Sequence, residues 1–430
     1  MTTHPDRRPR MVYANQAGEI FDLPDLEMAG RSGEGFLRPR LSDLMPLPEG
    51  SELFVLPGRH PVGIDPVNGR PVRVTVDPSV SESPVQAVAA FVAPAHTSIY
   101  TAAYEKAGDD VPTLPLFAYT AVGWYDGRFW AAAFRSDADI RQDAAQFNRR
   151  TVMSRTVRHL RRHSNNRLIQ HLGTCCLTYN CPAARNYFLG RWEAPVPTSP
   201  RCNAECVGCI SLQTSGCCPS TQERISFVPT PEEIIELAVP HLERAPRPVI
   251  SFGQGCEGEP LLQAKVIERS IRGIRARTGK GTINLNTNAS LPERVERLAR
   301  AGVDSIRVSL NSARAEAYAR YYRPRGYSFE DVAESVRVMK TAGKFVSFNY
   351  FILPGFTDDP DEAAALSDLV QRCGPDLIQL RNLNMDPDWY LETVGFRPSG
   401  RPMGILKWLR TLKKDFPRLR FGYFNPCLGA

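Results

Sequence analysis

Short apolar segments alternate with amphipathic segments between about residue 190 and residue 390 of this 430-residue chain. Six apolar segments are predicted to be strands: Ala194–Ser199, Val249–Gly253, Thr282–Thr287, Ser305–Leu310, Phe345–Leu353 and Leu377–Leu383. Helix starts are predicted at Thr230 and Asp359, because each is followed by proline and then by acidic residues. Since strands that alternate with helices form parallel sheets, the sequence predicts an α/β domain, either an open doubly wound sheet or a partial (β/α)6 TIM-like barrel.

The cysteines are strongly clustered, and eight of the eleven lie between Cys175 and Cys218. Cys202, Cys206 and Cys209 form a C-x3-C-x2-C triplet just after the first predicted strand, at the strand end where barrel chemistry takes place. A [4Fe–4S] cluster normally takes four thiolates, so three would leave one iron open to another ligand. A structural zinc site would need a fourth nearby cysteine or histidine, and paired C-x2-C units are absent from the sequence.

The triplet and its position resemble the signature of the radical S-adenosylmethionine (radical SAM) superfamily, whose fold is a partial (β/α)6 barrel. Four later motifs at predicted strand ends are similar to family motifs in order and spacing: residues 251–260 (SFGQGCEGEP), 286–289 (NTNA), 309–311 (SLN) and 348–358 (FNYFILPGFTD). The resemblance covers about residues 190–390.

This resemblance implies an enzyme that carries a [4Fe–4S] cluster on Cys202, Cys206 and Cys209. Such an enzyme cleaves SAM reductively to methionine and a 5′-deoxyadenosyl radical, which abstracts hydrogen from a substrate. The residues that would bind SAM, by the same resemblance, are Gly258, Glu259, Pro260, Asn288, Ser309, Asn311, Asn349 and Arg320. Arg323 and Arg325 are alternatives to Arg320 for the SAM carboxylate. The resemblance also implies an electron donor such as a flavodoxin or ferredoxin.

The sequence departs from the family pattern at two places. Gly208 occupies the position before the last cysteine, where the family usually has an aromatic residue near adenine. Two glutamates, Glu257 and Glu259, lie in the second-strand turn, and Glu259 is the preferred ligand of the SAM amino group because Pro260 follows it. Pro195 would be wrong in a central strand, but it is tolerated if the first strand is an edge.

Six cysteines outside the triplet are candidates for an auxiliary iron–sulfur cluster: Cys175, Cys176, Cys181, Cys217, Cys218 and Cys427. Cys181 and one member of each adjacent pair are the favoured ligands. The alternative is that these residues are small buried apolar side chains, a common fate of free cysteine. Cys256 either lies near the substrate or is simply small enough for a tight turn.

The rest of the chain is predicted to form three parts around the barrel at residues 191–390. Residues 1–140 have turn signals and read as a β-rich accessory domain, interrupted by one helical stretch near residues 97–108. Residues 141–190 form a basic helix and a cysteine-containing linker, in which the apolar residues at helical spacing are Met153, Val157, Leu160, Leu168 and Leu172. That helix is either a solvated surface or a contact surface for phosphate or nucleic acid. Residues 391–430 form a C-terminal helix and tail.

Composition narrows the class of protein. The chain has 42% hydrophobic and 23% charged residues with a net charge of +7, which is ordinary for a globular protein. No apolar run approaches the roughly 18–20 residues that span a bilayer, and the start lacks the apolar segment of a signal peptide. The expectation is a cytoplasmic enzyme that does not contact membrane and acts on a small molecule, an RNA or a peptide. The alternative is a zinc- or cluster-stabilised nucleic-acid-binding protein without turnover.

Overall fold

The computed structural model describes residues 8–77, 83–213 and 216–428. The chain divides into two compact units. The β-rich unit comprises Met1–Ala138, Phe351–Ala364 and Leu380–Phe416, and the barrel unit comprises Asp139–Tyr350, Ala365–Gln379 and Pro417–Ala430. Arg7, which belongs to the basic start of the sequence, lies outside the described residues.

The N-terminal part of the β-rich unit contains short strands that pair antiparallel. They are β1 (Arg10–Ala14), β2 (Ile20–Met28), β3 (Gly30–Ser32), β4 (Gly35–Leu37), β5 (Met45–Pro46), β6 (Glu52–Leu56), β7 (Arg59–Ile64), β8 (Pro71–Arg73), β9 (Gln86–Phe91), β10 (His96–Ser98), β11 (Thr101–Ala102), β12 (Tyr104–Lys106), β13 (Val122–Tyr125), β14 (Arg128–Ala131) and β15 (Ala133–Arg135). One of its cores is built from small side chains such as Val12, Ala14, Val88 and Ala90.

The helix predicted near residues 97–108 is wrong, because this segment forms the strands β10, β11 and β12. Each of these strands pairs with a different partner: β10 with β15, β11 with β3 and β12 with β7. In a helix the backbone N–H and C=O groups of this segment would bond to one another, whereas here they bond to strands elsewhere in the chain. Local sequence preferences do not predict such pairing.

A seven-stranded parallel sheet follows, with its strands in sequence order. Its strands are β16 (Glu193–Val196), β17 (Val249–Phe252), β18 (Thr282–Thr287), β19 (Ser305–Leu310), β20 (Phe345–Ile352), β21 (Leu377–Asn382) and β22 (Arg420–Gly422). The predicted bounds of β18 and β19 are confirmed, the other four predicted strands differ by one to three residues at an end, and β22 was not predicted. Because β16 is first in the strand order, Pro195 lies in an edge strand, where no ladder donor is lost.

The helices of the chain are α1 (Arg149–Arg162), α2 (Arg167–Leu177), α3 (Pro182–Phe188), α4 (Pro231–Arg244), α5 (Ala264–Arg275), α6 (Pro292–Ala301), α7 (Ala315–Tyr322), α8 (Phe329–Thr341), α9 (Pro360–Cys373), α10 (Pro387–Val394) and α11 (Ile405–Asp415). The predicted start of α4 is confirmed by a reciprocal capping box between Thr230 and Glu233. Among the described residues, no helix combines the length and the apolar composition that crossing a membrane requires.

The predicted apolar face is wrong at Met153 and Val157 of the basic helix α1, whereas Leu168 and Leu172, which lie on α2, are buried. Met153 is 50% exposed and Val157 is 36% exposed, whereas Val152 and Thr156 are buried. The buried face of α1 therefore contains Val152 and Thr156. The exposed Met153 and Val157 lie among arginines such as Arg158.

One face of the parallel sheet is lined with hydrogen-bonded polar residues. Ser251 of β17 donates to Oε1 of the buried Glu193 at 2.5 Å, and the amide of Asn425 donates to the same oxygen at 2.8 Å. Gln379 of β21 donates to Oδ1 of Asn425 at 2.9 Å. Asn425 thus links strands from both ends of the sheet, which satisfies buried groups that would otherwise be costly.

Candidate metal centre

The cysteine triplet lies in a loop that the rest of the barrel unit holds in place. Cys202 to Cys209 follow β16, and two backbone amides of this loop donate to carbonyls at the end of α7. The N–H of Glu205 donates to Tyr322 at 2.9 Å, and the N–H of Val207 donates to Tyr321 at 3.0 Å. The loop is therefore fixed along its length by main-chain hydrogen bonds, and its cysteines are presented beside the C-terminal ends of the strands.

The three thiols form one electrostatic group. Burial raises the pKa of Cys202 to about 11, and burial together with the neighbouring thiols raises the pKa of Cys206. Arg224 donates from Nη2 to Sγ of Cys209 at 3.4 Å. Thiols with raised pKa values are protonated at neutral pH, so a bound metal cation would have to displace their protons.

This donor set fits an iron–sulfur cluster. Thiolate sulfurs are the ligands that such clusters take. Among the described residues the three triplet sulfurs do not lie within 4.8 Å of one another as a set, unlike the ligand group of a single ion. The wider spacing suits thiolates that each bind a different iron.

Glu257 joins the ends of the first two strands. Its Oε2 accepts hydrogen bonds from the backbone N–H and the hydroxyl of Thr198 at 2.8 and 3.0 Å and from the N–H of Ser199 at 2.9 Å. Its Oε1 accepts from the N–H groups of Gly253 and Gln254 at 2.7 and 2.8 Å. Burial raises the pKa of Glu257 to about 7, which the five donors oppose. A carboxylate has about four lone-pair sites, so Glu257 is saturated.

Glu259 is equally buried but has fewer partners. Its Oε1 accepts from the hydroxyl of Thr287 at 2.5 Å and the N–H of Leu261 at 2.9 Å. Its Oε2 accepts from the N–H of Asn288 at 2.8 Å. Burial raises the pKa of Glu259 to about 7, and the Glu259 carboxylate in turn raises the pKa of Cys202. Glu259 therefore lies near the triplet and keeps capacity for one further donor.

Gly258 lies where the second-strand turn meets the cysteine loop. Its N–H donates to the carbonyl of Ser199 at 2.7 Å. A Cβ added to Gly258 would lie 2.0 Å from the carbonyl oxygen of Arg201, which no side chain allows. Pro260 is buried and begins a short 3-10 helix, Pro260–Gln263. Gly258 thus allows the turn to approach the backbone of Arg201 closely, and Pro260 begins the helix that follows the turn.

The third strand end connects to the cysteine loop through amide side chains. Asn288 donates from Nδ2 to Oδ1 of Asn203 at 2.9 Å, and Asn203 donates to Ser290 Oγ at 2.9 Å. Ala289 has a φ of 56°, a left-handed conformation in which glycine is favoured. The structure therefore places Asn288 beside the triplet loop.

Ser309 and Asn349 are register partners on adjacent strands, so their side chains share one face of the sheet. Both are half-buried, and Oδ1 of Asn349 accepts no hydrogen bond from any described residue. Nδ2 of the buried Asn286 in β18 is likewise without an acceptor among the described residues. Asn311 is fully buried and donates to the carbonyl of Ala317 at 3.1 Å.

The arginines predicted for the SAM carboxylate lie on α7 and on the segment that follows it. Arg320 is 46% exposed at its side chain and forms an ion pair with Glu316, one turn away on α7, at 2.6 Å. Arg325 forms an ion pair with Glu205 on the outside of the cysteine loop. Arg323 is exposed.

Two residues near the triplet were not predicted. Arg224 lies on the segment before α4, and no motif in the sequence distinguishes it from the other arginines. The phenol of Tyr327 is half-buried and interacts electrostatically with Cys202, Cys206 and Glu259. Tyr327 is thus one of the aromatic residues near the triplet, as is Tyr318, which also interacts electrostatically with Cys206.

The flanking cysteines do not form one group. Sγ of Cys176 lies 3.4 Å from the hydroxyl of Thr156, Sγ of Cys217 lies 3.4 Å from Sγ of Cys218, and Cys427 contacts the carbonyl of Pro248 at 3.9 Å. Cys175 instead lies with His171 and Cys256, and their ligand atoms are all within 4.8 Å of one another. Hydrogen bonding from Cys256 lowers the pKa of Cys175 to about 5.

Residues 196–366 match the family model of the radical SAM superfamily. This part of the chain belongs to the radical SAM superfamily. The matched segment begins at the last residue of β16 and ends within α9, so it includes the cysteine loop and the strand ends described above.

Curated relatives of this radical SAM domain cover only part of the chain. A GTP 3′,8-cyclase of Pelotomaculum thermopropionicum is 28% identical over 200 residues, which is 45% of this chain and 57% of the relative. The FeMo cofactor biosynthesis protein NifB of Klebsiella pneumoniae is 27% identical over 178 residues, or 38% of this chain and 37% of the relative. The chain thus spans less than two thirds of each relative. Among solved structures, a radical SAM methyltransferase from Sphaerobacter thermophilus gives a TM-score of 0.37 at 18% identity, covering 54% of this chain and 66% of that one.

Proposed function

We propose that this protein is a radical SAM enzyme that cleaves SAM reductively and uses the resulting radical on a substrate. The observation that supports it is the convergence of the three cysteine thiols and the Glu259 carboxylate at one end of the parallel strands. When bound, a reduced [4Fe–4S] cluster on Cys202, Cys206 and Cys209 supplies the electron for carbon–sulfur cleavage of SAM to methionine and a 5′-deoxyadenosyl radical, which abstracts hydrogen from the substrate.

The roles of the chain's own residues follow from their hydrogen-bonding capacity. The amino group of SAM donates a hydrogen bond to Oε2 of Glu259. This oxygen accepts from one donor and can accept another, whereas the carboxylate of Glu257 is already saturated. The backbone at Gly258 and the ring of Pro260 shape the turn beside it. Asn349, with a buried acceptor that no described residue satisfies, contacts a polar group of the nucleoside together with Ser309.

Asn288 and Asn311 have a supporting part in this proposal. The N–H of Asn288 orients Glu259, and its side chain joins that turn to the cysteine loop. Asn311 holds the start of α7 through Ala317. We do not assign the SAM carboxylate to Arg320, since that side chain is paired with Glu316 at the surface.

The test is anaerobic reconstitution with iron and sulfide, reduction with dithionite, and assay of 5′-deoxyadenosine formed from SAM. A variant with Cys202, Cys206 and Cys209 changed to Ala is expected to lose the brown cluster and at least about a hundredfold in deoxyadenosine formation, because no thiolate remains to hold the cluster. Cys373→Ala is the matched control, since Cys373 is buried at the end of α9. Undiminished deoxyadenosine formation by the triple variant would remove the proposal.

An auxiliary cluster on the flanking cysteines stays a prediction from the sequence, and it would compete for Cys175 with the group that contains His171 and Cys256. It predicts about eight irons per reconstituted chain, whereas the triplet alone predicts about four. Replacing Cys181, Cys217 and Cys218 together with Ala should then lower the iron content by half. An iron content of about four in the unmodified chain would eliminate the second cluster.

The substrate and the reductant are proposals of the same kind. We propose a flavodoxin or ferredoxin as electron donor and a small molecule, an RNA or a peptide as substrate, in a reducing compartment such as the cytoplasm. A candidate substrate is recognised by deoxyadenosine formation above the level measured without it. We do not propose a nucleic-acid-binding protein without turnover, because it leaves the match over residues 196–366 unexplained.

A further inference from the structure

A second group of metal-binding side chains lies outside the triplet, on α2 and the second-strand turn. His171 and Cys175 are four residues apart on α2 and therefore project from one side of the helix. Cys256 comes from the turn after β17, some eighty residues later in the chain. The three ligand atoms, one nitrogen and two sulfurs, all lie within 4.8 Å of one another. Tertiary structure has therefore assembled them from two separate elements.

The spacing of these atoms suits a single ion. Nε2 of His171 lies 3.6 Å from Sγ of Cys175. A tetrahedral zinc ion with Zn–S of about 2.3 Å and Zn–N of about 2.0–2.1 Å holds a sulfur and a nitrogen about 3.6 Å apart and two sulfurs about 3.8 Å apart. An iron–sulfur cube would instead place each thiolate on a different iron. The group is therefore already close to the geometry of a mononuclear site.

Burial also favours a site closed to solvent. Cys175 is 2% exposed and Cys256 is 5% exposed, and the ring of His171 packs edge-on against Phe227. A fourth thiol, that of Cys181, lies near this group but is not among the atoms within 4.8 Å of one another. Cys181 interacts electrostatically with both buried cysteines, and its N–H donates to the carbonyl of Cys175 at 3.0 Å.

We propose that His171, Cys175 and Cys256 bind one zinc ion that ties α2 to the turn carrying Glu257 and Glu259, and that the Cys181 thiol, which lies outside the group of three, moves toward the ion to become the fourth ligand. Three cysteines and one histidine are a usual ligand set for structural zinc, and such a site keeps no open position. The ion would hold the turn through Cys256, whose carbonyl also accepts the N–H of Ile225 at 2.8 Å.

The adjacent cysteine provides the matched control. Cys176 is also buried on α2, but its sulfur lies 3.4 Å from the Thr156 hydroxyl, and the residue is absent from the ligand group. A metal held by nonspecific thiols would depend on both cysteines. A metal held by the proposed site depends on Cys175 alone.

The experiment uses the full-length chain in which Cys202, Cys206 and Cys209 are Ala, so that the iron cluster contributes neither metal nor colour. After anaerobic incubation with zinc and desalting, elemental analysis should find about one zinc per chain. Adding Cys175→Ser or His171→Gln should reduce retained zinc at least about fivefold, whereas adding Cys176→Ser should leave it unchanged. Cobalt in place of zinc should give the intense visible bands of a tetrahedral thiolate complex in the parent and in the Cys176→Ser chain.

Zinc retention below about a fifth of an ion by the parent chain overturns the proposal, whatever the variants do. Equal retention by the Cys175→Ser and Cys176→Ser chains also overturns it. Circular dichroism establishes that each variant is folded. Should Cys175→Ser not fold, the half-buried His171→Gln variant decides the matter in its place. The parent chain lacks the cluster ligands, so this outcome is independent of whether the protein cleaves SAM.

Discussion

The two buried glutamates of the second-strand turn have opposite expected phenotypes, and Gln substitutions separate them. In Glu257→Gln, the new amide group replaces an oxygen that accepts at least two backbone N–H groups, either those of Gly253 and Gln254 or those of Thr198 and Ser199. Each buried donor left without an acceptor costs about 1–3 kcal/mol, so the free energy of unfolding should fall by roughly 2–6 kcal/mol. That is a large part of the roughly 5–15 kcal/mol that stabilises a typical domain.

Glu259→Gln removes less from the fold. Its oxygen can stay with Thr287 and Leu261, so only the N–H of Asn288 faces the new amide. The loss of the charge should be felt by SAM, since a hydrogen bond to a charged group contributes about 1.5–3 kcal/mol. A tenfold change in affinity corresponds to about 1.4 kcal/mol, so SAM should bind roughly 10- to 100-fold more weakly.

Two measurements compare the pair. Urea unfolding of the anaerobic cluster-free chains, followed by circular dichroism, reports stability. Equilibrium dialysis of the reconstituted proteins against labelled SAM reports affinity. The reasoning is refuted if Glu257→Gln unfolds at the wild-type urea concentration while binding SAM weakly, and Glu259→Gln binds SAM normally. That result would exchange the two roles.

Three further predictions are tested in the same preparations. Burial and His163 lower the pKa of His159 to about 4. Between about pH 6.5 and 4 the unfolded chain therefore binds more protons than the folded chain. The free energy of unfolding should fall by about 1–2 kcal/mol as the pH is lowered through this range, after allowance for solvent screening. His159→Gln should flatten that slope in urea unfolding, and an unchanged slope contradicts the assignment. Ala289→Gly should raise stability by up to about 1 kcal/mol by relieving the left-handed φ, and a lower melting temperature would be inconsistent with strain there. Arg224→Met removes a hydrogen bond to Cys209 and should therefore lower the cluster's reduction potential by about 60 mV, which is about 1.4 kcal/mol for one electron. The measurement is a potentiometric titration monitored by electron paramagnetic resonance. An unchanged midpoint potential would exclude an influence of Arg224 on the cluster.

The barrel was predictable because its signals are local. The bounds of β18 and β19 follow from short segments in which β-branched and leucine residues alternate with polar ones, and the start of α4 follows from the capping sequence at Thr230. The position of the cysteine loop then follows from the rule that chemistry lies at strand C-termini. The strands at residues 97–108 could not be predicted in this way, because their pairing partners β15, β3 and β7 are distant in sequence.

The site was predictable only where its residues belong to motifs. Glu259 was preferred over Glu257 because of Pro260, and the hydrogen bonds support the same preference for a different reason. Arg224 has no sequence signal at all. The spacing of His171 and Cys175 on one helix was a usable signal, but the distance between Cys175 and Cys256 in the sequence hid their contact.

The amide of Asn425 has a practical consequence for anyone handling this protein. Its side-chain N–H groups donate to Glu193 and Ser251, and its side-chain oxygen accepts from Gln379. The segment around Asn425 is therefore held by hydrogen bonds to buried polar residues of the sheet. Truncation ahead of Asn425 would leave the buried carboxylate of Glu193 without its amide donor, whereas an affinity tag attached at the amino end leaves this hydrogen bond in place.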